Sequence, residues 1–339
     1  MNKTPSSVLS SDIGVKVDPD SWGYLPLRTE LVGSEDPLDF DLHACKASKA
    51  NSDVEMVVCC HKGTLFKPES KKQLLDLGIT NLYVKKKHSK ELNEYLRQKV
   101  ISILDGKCEP SQKANAIYNT AYSNIYTLYT LDPSKQEISP VIDRIIDSID
   151  IVVKDSEILS NMVGLVRNDY SLYSHALNNS IIAAAFLAFA KSGEEAIRNA
   201  SLCAMLMDVG MGKIPNEILK KPGKLTAGEL NTVQKHPLLS YVLLKGSARI
   251  PVEILNLILQ HHECIDGSGY PKGLKGHEVR HLTRVTRMVD MFNALISPRS
   301  HRYKYTPANA ARIMAQDLSD KLGADLLQQF IRFLGSPLV

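Results

Sequence analysis

Two hydrophobic periods divide the 339-residue chain. Between residues 22 and 87, the short β-rich runs DFDLHAC, VEMVVCC and NLYVKKK are separated by Gly, Pro and Asp, with one helical stretch around SKKQLLDLG. Runs of this length and bounding predict strands, and the segment as a whole predicts a small α/β unit. SKELNEYLRQKVISILDG predicts a helix capped by Ser89, closed by Gly106 and joining the two halves, with Leu92, Leu96, Val100 and Ile103 on one face. Beyond Pro110 apolar residues recur at three and four positions almost to the end, so the second half is predicted all-helical. One helix is expected to start near Asp169 and carry His175 into NNSIIAAAFLAFAKSG; the next, EEAIRNASLCAMLMDVG, delivers Asp208 near its end. The expected organisation is α+β overall: a polar, Ser-rich arm over 1–20, a small α/β unit over 21–110 and an all-α unit over 111–339.

Composition narrows the picture without changing it. An apolar fraction of 44% and a charged fraction of 23% match an ordinary globular protein, and a net charge of +4 spread along the chain gives no reason to expect a nucleic-acid polymer as partner. Cys45, Cys59, Cys60, Cys108, Cys203 and Cys264 form no C-x-x-C pair and no disulfide framework, which predicts reduced thiols. The start MNKTPSSVLSSDIG has no apolar core, and the run Ile181–Ala190 is too short to span a bilayer. A cytoplasmic protein without a membrane span is expected.

The stretch richest in chemistry is HHECIDGSGYPKGL, His261–Leu274, which follows the amphipathic run PVEILNLILQ. Adjacent histidines at the end of a buried helix have the rigid support that metal ligands need. The punctuation by Gly267, Gly269 and Pro271 predicts a tight loop able to fold over a phosphate.

This stretch resembles the signature of the HD-GYP phosphodiesterases at ten positions in fourteen: His261, His262, Glu263, Asp266, Gly267, Gly269, Tyr270, Pro271, Gly273 and Leu274. The resemblance extends over roughly 115–320, through YSHALNN, MLMDVGMGKIPNEILKKPGKLTAGELNTVQKHP and TRVTRMVDMFNALISPRSHRY, in the family's order. It implies an HD-type helical domain whose metal ligands are His175, Asp208, His236, His261, His262 and Asp290. It also implies divalent ions, iron or manganese, and the hydrolysis of cyclic-di-GMP or a related cyclic dinucleotide. By the same resemblance Asp208, Tyr270 and Lys213 are candidate catalytic residues, and Arg299, Arg302 and the Gly267, Gly269, Tyr270, Pro271 loop are candidate substrate contacts. The N-terminal unit lies outside the match and is a candidate surface for protein partners.

Four departures from the pattern matter. Met207 stands where the family has the histidine of the HD pair, and a thioether cannot replace imidazole toward a borderline divalent ion. Ser171 replaces an acidic residue one turn before His175, Met211 replaces a lysine, and Asn293 replaces the second aspartate of D-x-x-D-A-L. One ion site, His236, His261, His262 and the bridging Asp208, is expected intact; the other, His175, Asp208 and Asp290, is expected weakened. Without the resemblance, Asp290 is as well explained by an ion pair with Arg287 or Arg284, and Met207 by core packing. Two readings stay open: a phosphodiesterase weakened at one metal site, and a catalytically inactive relative that acts as a cyclic-di-GMP receptor or docking module.

Overall fold

The computed structural model describes residues 23–33, 37–47, 54–130, 138–166, 171–219, 221, 223–297 and 304–336. The arm expected over 1–20 lies outside them. The chain divides between Cys108 and Glu109 into two compact units.

The first unit runs β1 (Tyr24–Arg28), β2 (Leu42–Ala47), β3 (Val54–Cys60), α1 (Pro68–Asp76), β4 (Asn81–Lys85) and α2 (Ser89–Asp105). Its strands form one sheet in the order β1-β4-β2-β3. Every pairing is antiparallel, so this unit is itself α+β and contains no parallel crossover. Leu27, Phe40, Leu42, Leu74 and Leu82 fill its core. Strand β1 is absent from the sequence expectation because Pro26 interrupts YLPLR. The sheet tolerates that proline because β1 is an edge strand, where a missing N–H need not break a ladder on both sides. Ser89 does not cap α2: a 3-10 turn over Lys86–His88 winds directly into the helix, so Ser89 is already helical, with φ −61° and ψ −33°. A capping residue needs extended geometry.

The second unit is helical: α3 (Pro110–Thr130), α4 (Ser139–Lys154), α5 (Ser156–Val163), α6 (Leu172–Phe189), α7 (Glu194–Leu206), α8 (Asn216–Leu219), α9 (Ala227–Val233), α10 (His236–Leu244), α11 (Val252–Gln260), α12 (His281–Ile296), α13 (Pro307–Asp317), α14 (Ser319–Leu322) and α15 (Ala324–Leu334). Helix α6 is its axis. Every residue from Ser174 to Leu187 is buried, as a helix that is apolar all round must be. Although α6 has the length and hydropathy of a membrane span, 78% of that window is buried inside the unit. Leu172 is the first residue of α6 and Ser171 its cap: the Ser171 hydroxyl accepts the Ser174 N–H and the Ser174 hydroxyl accepts the Ser171 N–H, closing a capping box. Asp169, near which the helix is expected to start, lies outside the described residues. The residue that replaces the family's acidic position is therefore used to begin the helix. Phe186 on α6 meets Phe330 on α15 at a centroid distance of 5.3 Å, and Phe292 on α12 meets the same ring at 5.2 Å. This aromatic cluster fixes α6 and α12, the two helices that carry His175 and Asp290.

Candidate metal centre

Three short segments bring Asp208, His236, His261 and His262 together. Asp208 follows the end of α7, where its residue begins a 3-10 turn over Val209–Lys213. The Ser240 hydroxyl donates to the Met207 carbonyl at 2.7 Å and accepts the Gly210 N–H at 2.8 Å, tying this turn to α10. His236 opens α10, and His261 and His262 follow the last turn of α11.

Asp208, His236, His261 and His262 each place a donor atom within 4.8 Å of the others. His236 Nε2 lies 3.2 Å from Asp208 Oδ1 and 3.2 Å from His261 Nε2; His261 Nε2 lies 3.5 Å from Asp208 Oδ1. Ligands at about 2.0–2.2 Å from a common ion stand roughly this far apart. The outer ring nitrogens decide the roles. His236 Nδ1 donates to the Val233 carbonyl at 2.7 Å, and His261 Nδ1 donates to the Ile258 carbonyl at 2.6 Å, because a carbonyl can only accept. When both rings are neutral, as metal ligation requires, their Nε2 lone pairs face each other and Asp208, and a cation between them relieves that repulsion, so the residues present fit a divalent ion. Burial alone would raise the Asp208 carboxyl, yet the hydrogen bonds and positive charge of His236 and His261 hold it well below the usual carboxylate range. The site thus keeps a negative charge ready for an ion.

On the far side of Asp208, His175 and Asp290 form a second group with it. His175 Nε2 contacts Asp290 Oδ1 at 2.9 Å, and Arg287 Nη1 donates to Asp290 Oδ2 at 3.1 Å. Desolvation, the largest single influence, opposes ionisation of Asp290, but the hydrogen bond and charge of His175 together with the charge of Arg287 keep the carboxyl far below its ordinary value. Asn293 Nδ2 reaches the His175 carbonyl and His175 Nδ1, each at 3.0 Å. Met207 is completely buried, in keeping with a packing role. Lys213 is exposed at the end of the turn that begins with Asp208. Arg299 and Arg302 lie outside the described residues.

The loop after His262 covers the cluster. Tyr270 stacks on His262 with centroids 4.5 Å apart, and burial pushes its phenol well above the ordinary value, so the hydroxyl keeps its proton. Gly269 packs where a side chain cannot fit: an added Cβ would lie 2.5 Å from Glu263 Cα and 2.5 Å from Cys264 N. Asp266 turns outward to accept the Ser268 N–H at 2.9 Å, a local turn contact. Glu263, whose role the sequence left unassigned, is 1% exposed and accepts the N–H groups of Lys272 at 2.7 Å and Leu274 at 2.9 Å. It clamps the loop shut. Glu263→Ala should therefore cost about 1–3 kcal/mol by stranding those donors, while Glu263→Gln, which keeps an acceptor, should cost less; denaturant unfolding of the two variants checks the order.

Residues 159–326 match the family described as HD domain. The cyclic di-GMP phosphodiesterase response regulator RpfG of Xanthomonas campestris is 42% identical over 114 residues, which cover 33% of this chain and 30% of RpfG. The cyclic di-GMP phosphodiesterase PA4108 of Pseudomonas aeruginosa is 32% identical over 181 residues, 52% of this chain and 42% of that protein. The 3'3'-cGAMP-specific phosphodiesterase 2 of Vibrio cholerae is 37% identical over 150 residues, 43% of this chain and 28% of its own length. The chain thus spans less than half of each of these curated relatives. Among solved structures, Bd1817, a HDG"Y"P protein from Bdellovibrio bacteriovorus, superposes with a TM-score of 0.66 at 19% identity, covering 92% of this chain and all of that one, which shows a shared fold. With the HD-domain match, the His261–Leu274 motif and the curated relatives, the helical unit belongs to the HD-GYP family.

Proposed function

We propose that this protein hydrolyses a cyclic dinucleotide, cyclic-di-GMP first among them, at a centre that holds a divalent ion between Asp208, His236 and His261. The observation that carries the proposal is the convergence of two buried imidazole Nε2 atoms on one half-buried carboxylate under the Gly267–Pro271 loop. Similar relatives are named as phosphodiesterases of cyclic di-GMP and of 3'3'-cGAMP. A bound ion of this kind, iron or manganese in our proposal, supplies Lewis-acid polarisation of a phosphate and a water of lowered pKa. The chain's own contribution is orientation and exclusion. The Val233 and Ile258 carbonyls fix the two rings, and Asp208 supplies the charge. Tyr270, a neutral phenol stacked on His262, forms one wall and keeps a hydroxyl donor available to the substrate. Arg299, Arg302 and Lys213 are the proposed partners of substrate phosphates, and the first unit is the proposed contact for other proteins. The unpaired thiols of all six cysteines favour a reducing, cytoplasmic setting.

The test is chromatographic separation of products after incubating metal-loaded protein with cyclic-di-GMP or 3'3'-cGAMP, with manganese or iron(II) added. Consumption that stops when the metal is chelated and resumes when it is restored is expected. Binding of either nucleotide without any turnover under those conditions would establish the receptor reading instead.

A further inference from the structure

Arg287 stands where neither the metal ligands nor the loop explain it. Its Nη1 lies 3.1 Å from Asp290 Oδ2 and 2.6 Å from His262 Nδ1, and only 18% of the side chain is exposed. A guanidinium can only donate. It therefore makes His262 Nδ1 an acceptor, and the proton of the neutral ring moves to Nε2, 3.1 Å from His236 Nε2. In this arrangement His262 presents an N–H to the centre rather than a lone pair.

The His175 side is set the same way by a different residue. Asn293 Nδ2 donates its two hydrogens to Asn179 Oδ1 at 2.8 Å and to the His175 carbonyl at 3.0 Å, and it also faces His175 Nδ1 at 3.0 Å. An amide nitrogen accepts no hydrogen bond, so a hydrogen on that Nδ1 would have no acceptor there, and the ring carries its proton on Nε2, aimed at Asp290 Oδ1 at 2.9 Å. An aspartate at 293 would reverse this by accepting Nδ1–H. Both oxygens of Asp290 are thus occupied by N–H donors, one from His175 and one from Arg287, and the imidazole that position 207 would supply is a buried thioether. The group formed by His175, Asp208 and Asp290 then offers an ion only carboxylate oxygens, already shared with these donors, and no imidazole lone pair.

We propose that the Arg287 guanidinium replaces the second metal ion of this centre, so that the chain binds one divalent ion, on Asp208, His236 and His261, with Arg287 as the fixed cation that neutralises Asp290 and turns His262 into a donor. Arg287 is a positioning residue in this scheme. The proposal rests on the metal-centre reading above.

Metal-stripped protein titrated with manganese, with bound ions counted by elemental analysis, separates the possibilities. One ion per chain is expected in the unaltered protein and in Met207→His, since the added imidazole changes neither the His175 proton nor the Arg287 contact. Two are expected only when Met207→His, Asn293→Asp and Arg287→Ala are combined. Arg287→Ala alone should keep one ion and bind it about tenfold tighter as His262 becomes free to ligate, whereas Arg287→Lys, which keeps a cation and a donor, should stay near the unaltered affinity. Two ions in the unaltered protein, or in Met207→His alone, would overturn the proposal; so would an unchanged affinity in a folded Arg287→Ala protein. No ion in the unaltered protein would overturn the metal-centre reading itself, and this proposal with it.

Discussion

Replacing Asp208 with alanine is expected to abolish retention of a divalent ion and to take cyclic-dinucleotide hydrolysis below detection. Its Oδ1 stands 3.2 Å from His236 Nε2 and 3.5 Å from His261 Nε2, and it is the one residue shared by the two donor groups. Without it two imidazoles remain with no anionic partner. Metal affinity should fall by far more than the 10- to 100-fold that loss of an outer-shell partner typically costs. Turnover should follow, because ion and carboxylate are lost together. Elemental analysis and a thermal unfolding curve on the same sample distinguish this from collapse of the fold. A variant that unfolds normally yet still carries one ion per chain would show that the centre lies elsewhere.

The second large effect lies in the loop. Gly269→Ala is expected to destabilise the protein by about 2–4 kcal/mol or to displace the loop from the centre, since a buried atom forced into a filled space strains its neighbours. Its Cβ would sit 2.5 Å from Cys264 N, 2.5 Å from Glu263 Cα and 2.6 Å from the His262 carbonyl, all of them backbone atoms that no side-chain rotation can move. Relief has to come from shifting His262 and Tyr270, which stack on each other. Substrate turnover should therefore drop even if the variant folds, while binding of manganese at Asp208, His236 and His261 should survive. Equal turnover and equal unfolding free energy in Gly269→Ala would refute the tight-loop account.

The helical half of the fold was legible because apolar residues recur at helical spacing through most of it, while α6, apolar all round, was foreseen from the length of NNSIIAAAFLAFAKSG. Strand β1 was not, because its pattern is five residues long and holds Pro26; only its edge position makes it a strand. At the centre, the resemblance to the HD-GYP signature pointed to Asp208, His236, His261 and His262 before any geometry was known. Arg287 was visible only as an ion-pair partner three residues from Asp290, the spacing of neighbours on one helix face. Its contact with His262, 25 residues earlier in the chain, depends on how α12 meets the end of α11, and no local pattern encodes that. Glu263 was likewise read as part of a motif, while its work as a clamp on Lys272 and Leu274 needs the closed loop to be seen.

The way each histidine is oriented bears on how such a centre drifts over evolutionary time. His236 and His261 are each held by the carbonyl three residues upstream, at Val233 and Ile258. No amino-acid replacement deletes a carbonyl, so these two rings keep their direction through almost any substitution of the flanking side chains. His175 instead takes its direction from Asn293, a side chain 118 residues away that a single codon change can rewrite. A centre built this way has one half that is hard to lose and one half that erodes easily. Positions 207 and 293, two of the departures from the family's pattern, both belong to the erodible half or border it.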